Sequence, residues 1–254
     1  MAVTWDPATY LAFGDHRSRP FHDLLARVGA GEPRRVVDFG CGPGHLTDVL
    51  AQRWPGAEID ALDSSPEMVA DARSRGVPAR QLDVRDWRPD PRDDIVVTNA
   101  VLHWVPGHLD LLPGWLAAMP TGGWFAMQVP GNFTSPSHTL TRTLLDEPHW
   151  RDRMDVPEGM SVATPTEYAR VMAGTGADVD AWETTYLHRL TGPDPVLNWI
   201  SGTALRPVRD ALDDAGWAAF RAELAVLLRE AYPVEADGST WFSFRRIFAV
   251  ARVA

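Results

Sequence analysis

The chain contains no lysine. Its 24 cations are all arginines and stand against 34 Asp and Glu, a formal charge of −10. Such an acidic balance disfavours nucleic acid, because phosphate binding calls for a basic face. An acidic protein that binds a polyanion must gather its cations locally, and the planar fork of arginine suits bidentate recognition of carboxylates. A genome rich in G and C would also replace Lys by Arg throughout, and that is the simpler explanation of the bias. Cysteine occurs once, at Cys41, which excludes an internal disulfide. No Cys/His spacing suited to zinc is present, so no metal is expected, and a reducing cytoplasm is the expected location. Within the glycine turn described below, Cys41 reads as a small filler rather than a nucleophile.

Long apolar runs are also missing. None approaches the roughly 18 residues of a membrane span, and no basic stretch followed by an apolar core opens the sequence, so neither membrane insertion nor secretion is expected. Internal repeats and low-complexity tracts are absent. What remains is an ordinary globular composition: 254 residues, 45% hydrophobic, enough for one larger domain or a core with a modest cap.

The most informative segment is VVDFGCGPGHL, residues 36–46. Val36, Val37 and Phe39 form the short apolar run of a parallel strand covered on both faces, with Asp38 at its carboxyl end. Gly40, Gly42 and Gly44 then permit a sharp turn and a close approach of ligand to backbone. A helix is expected over 45–54, with Leu46, Val49 and Leu50 on one face. A dinucleotide fingerprint requires G-x-G-x-x-G, and here His45 stands where its last glycine belongs. A pyrophosphate is therefore poorly accommodated. A carboxylate at Asp38 would repel phosphate and attract an ammonium group, such as the amino-acid end of S-adenosylmethionine.

Asp63 lies 19 residues beyond Gly44 at the end of the apolar segment AEIDALD, where an acid can accept hydrogen bonds from both hydroxyls of a ribose. Ser65, Pro66 and Glu67 then start a helix as N-cap, first helical residue and dipole partner, with Met68 facing back toward an adenine. The segment VPARQLDVRDW brings Asp83 to the same edge, and DDIVVTNAVLHW ends a strand at Asn99. Taken singly, each acid also suits a helix cap or a solvated turn. Together, four strand ends on one side match the rule that open α/β sheets bind ligands outside their carboxyl ends.

These motifs, VDFGCGPG, LDSSPEM, LDVRDW and TNAVLHW, resemble the class I S-adenosylmethionine-dependent methyltransferases over residues 36–104. WDPATYLAFGDHRSRP, ETTYLHRL, NWISGTALRP and FRRIFAVARV extend the likeness nearly end to end, to the trans-aconitate methyltransferase family within that class. The resemblance implies an α/β, Rossmann-like sheet with helices on both faces and a mostly helical lid. It implies transfer of a methyl group to one carboxylate of trans-aconitate, giving a monomethyl ester and S-adenosylhomocysteine, with cis-aconitate, isocitrate and citrate left open as acceptors. Asp38, Gly40, Gly42 and Gly44 carry over to the methionine end of the cofactor, and Asn99 to the cofactor site. Asp63 carries over to the ribose, Met68, Asp83 and Val84 to the adenine, and Ser64 to the cofactor site.

A carboxylate acceptor is already ionised at neutral pH, so placement replaces general-base catalysis and arginines must neutralise the remaining charge. The candidates are Arg17, Arg19, Arg206 and Arg246. Arg245 and Arg246 are neighbours on a predicted strand and face opposite ways; the family likeness selects Arg246. Tyr10, Asn132, His138, Tyr186, His188 and Trp199 are neutral candidates for the pocket lining, each equally at home as a packed core or boundary residue. His103, just beyond the Asn99 strand, supports an alternative: a methyltransferase for a small alcohol, phenol or amine with histidine as base. A non-catalytic cofactor-binding module is a further alternative.

Along the chain, residues 1–30 are expected to form a helical arm over the active site and 31–130 the cofactor-binding core. Residues 131–163, which hold prolines, histidines and mixed charge with little periodicity, are expected to form an insert beside the cleft. A core helix and strand follow over 164–191, a helical lid over 192–238 and a final core strand over 239–254. The expected partner is a small tricarboxylate, with neither nucleic acid nor membrane.

Overall fold

The computed structural model describes residues 14–153 and 162–254, with side chains from residue 18 onward; Tyr10 and the side chain of Arg17 lie outside the described residues. Seven strands form one sheet in the order β3-β2-β1-β4-β5-β7-β6. They are β1 (Arg35–Phe39), β2 (Glu58–Asp63), β3 (Arg80–Gln81), β4 (Asp93–Asn99), β5 (Trp124–Pro130), β6 (Asp178–Thr191) and β7 (Ser239–Arg252). Neighbouring strands among β1 to β5 pair parallel, and β7 runs antiparallel to β5. The expected Rossmann-like α/β sheet is therefore present. Strand order reverses between β1 and β4, and an open parallel sheet binds ligands at the carboxyl ends flanking such a reversal.

Parallel strands covered on both faces need continuous apolar runs. Val36 and Val37 of β1 and Ile95, Val96 and Val97 of β4 accordingly have no exposed surface. The helices are α1 (Gly14–Leu25), α2 (Thr47–Arg53), α3 (Pro66–Ser74), α4 (His108–Ala118), α5 (Pro136–Leu145), α6 (Pro148–Arg151), α7 (Pro165–Ala173), α8 (Pro195–Ser201), α9 (Arg206–Ala211) and α10 (Asp214–Ala231). Helix α2 is shorter than the 45–54 read from periodicity, because the turn continues through Leu46 and Trp54 forms the C-cap. The region 131–163, read as patternless, contains α5 and α6, each with proline in its first turn, where the missing N–H costs nothing.

The chain divides into two compact units. Among the described residues, one comprises 14–130, 162–184 and 246–254; the other comprises 131–153 and 185–245. The first is built around Val37, Phe39, Val96, Phe125, Met127 and Ile247, with Trp87 and Trp115 edge-on to one another. At the start of its strands, Arg35 donates to Asp60 at 2.6 Å and to Asp93 at 2.9 Å, and Arg80 grips Asp60 through two bonds of 2.9 Å. Strands β1 to β4 are thereby tied by charge at one end. The second unit packs Trp150, Trp199, Phe220, Leu224 and Phe242 into a core of its own.

Within the first unit, α4 and α7 are joined by a buried polar pair. His108 Nδ1 lies 3.0 Å from the Val105 carbonyl and Nε2 lies 2.7 Å from the Tyr168 hydroxyl. A carbonyl only accepts, so Nδ1 carries the proton and Nε2 accepts from tyrosine. Burial supports this neutral form by lowering the histidine pKa and raising that of the phenol. Tyr168→Phe leaves a buried ring nitrogen without its donor and is expected to reduce unfolding free energy by about 1–3 kcal/mol in a urea titration. Replacing both partners, His108→Leu with Tyr168→Phe, should recover part of the loss; an undiminished midpoint in the single variant would show that the bond contributes nothing.

Candidate functional site

The glycine turn after β1 is shaped by sterics and by its donors. Gly40, Gly42 and Gly44 have φ of +81°, +55° and +81°, the left-handed region that a side chain disfavours. A Cβ on Gly40 would lie 2.1 Å from Cγ2 of Val101, so only glycine lets this turn rest against the segment after β4. Beside Gly42 nothing lies within 4 Å, leaving space a ligand can occupy. The turn's N–H groups are directed inward: Gly40 and Cys41 both donate to the Leu62 carbonyl, at 2.7 and 2.8 Å, and Gly44 to the Cys41 carbonyl at 3.1 Å. Gly42 N–H donates to Asp63 Oδ2 at 2.9 Å. A pyrophosphate loop must offer such donors to its ligand, and here four are already taken. Geometry and glycine spacing thus argue alike against a dinucleotide.

Two carboxylates flank the turn. Asp38 is 4% exposed and accepts the Thr47 hydroxyl at 2.5 Å. Burial pushes its pKa up to about 6, with the Thr47 bond opposing and the charge of Asp63 reinforcing the rise. Asp63 accepts Gly42 N–H on one oxygen and Ser65 N–H, at 2.9 Å, on the other. Burial raises its pKa as well, against the pull of the Ser65, Gly42 and Ser64 amides. The Ser65 hydroxyl caps α3 by accepting Met68 N–H at 3.2 Å, and Met68 is buried. Cys41 is buried, and its thiol pKa is raised, first by burial and then by the nearby Asp38 and Asp63; it is a filler, not a nucleophile.

Asp38, Gly40, Gly42, Gly44, Asp63 and Ser64 therefore come together at the carboxyl ends of β1 and β2. Ser64 is exposed, and its carbonyl accepts from Gln81 at 3.1 Å. Asp83, beyond the two-residue β3, caps a 3-10 turn and is held by Arg85 at 2.6 and 2.9 Å. Val84 packs against the apolar core. Asn99 closes β4 with its Oδ1 buried and without a hydrogen-bond partner among the described residues. Ala100 follows at φ +58°, a strained setting for a residue with a Cβ and one that clusters at functional sites. His103 lies in the next 3-10 turn, Leu102–Trp104, its ring 5.0 Å from that of Trp104.

Among the acceptor candidates of this unit, Arg19 is exposed and 4.0 Å from Asp23 on the same helix. Arg246 is 7% exposed, with Nη1 3.5 Å from Oε1 of Gln128. Gln128 escaped the sequence reading, although one polar residue within WFAMQVP was a usable signal. In the other unit, Asn132 and His138 lie 3.5 Å apart, and the Ser137 hydroxyl is 3.1 Å from the same imidazole nitrogen. Burial, assisted by Arg142, pushes His138 down to about 4, so it is neutral at pH 7. Tyr186 and His188 alternate with exposed residues on β6, and His188 stacks on Trp199 at 4.8 Å beside Phe244; all three are packed in aromatic surroundings. Arg206, half-buried, opens α9. Among the described residues no His, Cys, Asp and Glu group is arranged to hold a metal, and no helix is long and apolar enough to cross a membrane.

Residues 13–181 match the family described as Methyltransferase domain. The trans-aconitate 2-methyltransferase of Rhodococcus jostii is 60% identical over 98% of this chain and 99% of its own. The enzyme of the same name from Mycobacterium tuberculosis is 57% identical over 98% of this chain and 97% of its own. Among solved structures, the YcgJ protein of Bacillus subtilis superposes with a TM-score of 0.60 over 92% of this chain and 97% of that one, at 13% identity. A phosphoethanolamine N-methyltransferase of Haemonchus contortus gives 0.55 over 93% of this chain and 53% of that one, at 15% identity; both likenesses concern the fold alone. Near-complete coverage at such identity, on a sheet and glycine turn of this geometry, means that the chain belongs to the trans-aconitate 2-methyltransferase family.

Proposed function

We propose that the protein transfers a methyl group from S-adenosylmethionine to one carboxylate of trans-aconitate, giving the monomethyl ester and S-adenosylhomocysteine. The observation that carries this reading is 60% identity over 98% of the chain to an enzyme named for that reaction. The site fits the donor. The buried carboxylate of Asp38 and the unpartnered Oδ1 of Asn99 suit an ammonium group, and the space beside Gly42 admits the ligand where a side chain would intrude. Asp63 retains lone pairs for two ribose hydroxyls after accepting its backbone donors, with Ser64 beside it. Met68, with Asp83 and Val84, supports the adenine. One buried cysteine and the charge of −10 favour a cytoplasmic enzyme acting on a small acid over a nucleic-acid or membrane partner.

When bound, the cofactor supplies an electrophilic methyl group on its sulfonium. The acceptor carboxylate, with reference carboxyl pKa values of about 3.9–4.3, is ionised at pH 7 and needs no base. The chain's task is placement, and fixing the oxygen in line with the methyl group contributes on the order of 7–11 kcal/mol through effective molarity. Burying the remaining substrate charges requires cations, and Arg246 has the burial that such a role demands. Incubation with labelled S-adenosylmethionine and a panel of di- and tricarboxylic acids should leave base-labile label on trans-aconitate. His103→Gln should keep most of that activity, and the rate at saturating cofactor and substrate should not fall near the histidine pKa of about 6.5; loss of activity with folding intact would favour the alcohol or amine acceptor.

Asp38 gives cofactor binding a pH dependence of defined sign. Its raised pKa, about 6, means that the folded chain holds this proton more tightly than the unfolded chain. The contribution of Asp38 to stability therefore falls as pH rises from about 4 through about 6. An ammonium ligand selects the ionised carboxylate, so S-adenosylhomocysteine should bind more weakly by up to about tenfold per pH unit below about 6, with a plateau above. Asp38→Asn should flatten that dependence. Calorimetric titrations of the parent chain that show no change across this window would remove Asp38 from the ammonium site.

A further inference from the structure

At the carboxyl ends of β4 and β5, and on the stretch of β7 beside them, three polar side chains stand in a row where apolar ones are the rule. Asn99 and Gln128 are paired neighbours in the β4–β5 ladder, so their side chains share one face of the sheet. Gln128 is opposite Phe248 in the β5–β7 ladder, and Arg246 precedes Phe248 by two, which puts Arg246 on that face too. Around them Val96, Val97, Phe125, Met127, Val129 and Ile247 have no exposed surface, and Thr98 is buried next to Asn99 on β4.

The orientation of the Gln128 amide follows from its neighbour. A guanidinium only donates, so the amide oxygen is the atom facing Arg246, at 3.5 Å. The NH2 end is thereby turned elsewhere. Gln128 is 1% exposed, and its Nε2 has no hydrogen-bond partner among the described residues. A buried donor without an acceptor destabilises a fold, and native proteins keep few of them. The neighbouring Asn99 Oδ1 is an unpartnered acceptor. The row thus reads acceptor, donor, cation.

We propose that Gln128 is a specificity-determining residue for the acceptor substrate: its side-chain N–H and the Arg246 guanidinium together hold one carboxylate of the trans-aconitate. This assignment rests on the function proposed above and adds to it the residue that aligns the acid. An amide N–H and a guanidinium side by side match the two oxygens of a carboxylate, whereas Asn99, one strand further, offers the acceptor an ammonium needs. The order along the sheet therefore places the cofactor's amino-acid end over β4 and the substrate carboxylate over β5 and β7.

Gln128→Met keeps the length of the side chain and removes the donor together with the Oε1 that faces Arg246. Losing a bond to a charged group should raise KM for trans-aconitate by about 10- to 150-fold, while the dissociation constant of S-adenosylhomocysteine stays within about twofold of the parent. The melting temperature should fall slightly, because Arg246 loses the Oε1 acceptor at 3.5 Å, so the rise in KM at unchanged cofactor affinity is the distinguishing readout. A merely structural glutamine would give a lower melting temperature with an unchanged KM. Gln128→Glu, which sets a like charge against the substrate, should raise KM further than methionine does. Among analogues in which a single carboxylate is replaced by a carboxamide, one should be turned over equally by parent and Gln128→Met, showing the coupling. A parental KM in both variants, with cofactor binding intact, overturns the assignment of Gln128 alone. A parent chain that forms no methyl ester from trans-aconitate overturns the acceptor itself, and this assignment with it.

Discussion

The carboxylate of Asp63 accepts the Gly42 N–H on one oxygen and the Ser65 N–H on the other, each at 2.9 Å, and so closes two turns with one side chain. One is the glycine turn after β1; the other begins α3. Together with the Leu62 carbonyl, which takes the N–H groups of Gly40 and Cys41, it turns the loop's donors toward the end of β2. This sets what the loop can bind. A glycine turn whose amides point outward is a phosphate cradle; one whose amides are spent on a neighbouring strand leaves an acid-lined hollow, suited to hydroxyls and an ammonium group. The family to which the chain belongs and the geometry of the turn lead to the same class of donor.

The same constraint accounts for the buried acid beneath the loop. Asp38 sits within an apolar strand, held by a single hydroxyl from Thr47, and its pKa is raised by the very burial that places it there. Such a group is costly in an empty site and favourable beside a cation. Asn99 and Gln128 share the pattern: polar atoms at the ends of β4 and β5 with bonding capacity the protein does not use. At the opposite end of the strands the carboxylates of Asp60 and Asp93 are held by Arg35 and Arg80.

Much of this was legible in the sequence where the physical demand was local. Glycine at 40, 42 and 44 answers to backbone dihedrals and to close approach, which leave their mark on residue type. The capping serine and proline before α3 and the capping box of Thr164 and Glu167 at α7 are equally local. Helix α5 was not legible, because its apolar residues, Leu140, Leu144 and Leu145, are sparse among serines and threonines. Gln128 was passed over because its meaning depends on Arg246, 118 residues away. His188 and Trp199 read equally well as pocket lining or as packed core; their stacking on one another beside Phe244 is set by the packing of β6, β7 and α8, which no single segment encodes.

The direct test of the Asp63 constraint is a calorimetric titration of S-adenosylhomocysteine into Asp63→Asn. The amide keeps the size of the carboxylate but can accept only one of the two backbone donors and carries no charge. Affinity should fall by about 10- to 150-fold, the loss expected for bonds to a charged acceptor. Affinity equal to that of the parent chain would contradict the claim that this carboxylate both shapes the glycine turn and holds the ligand.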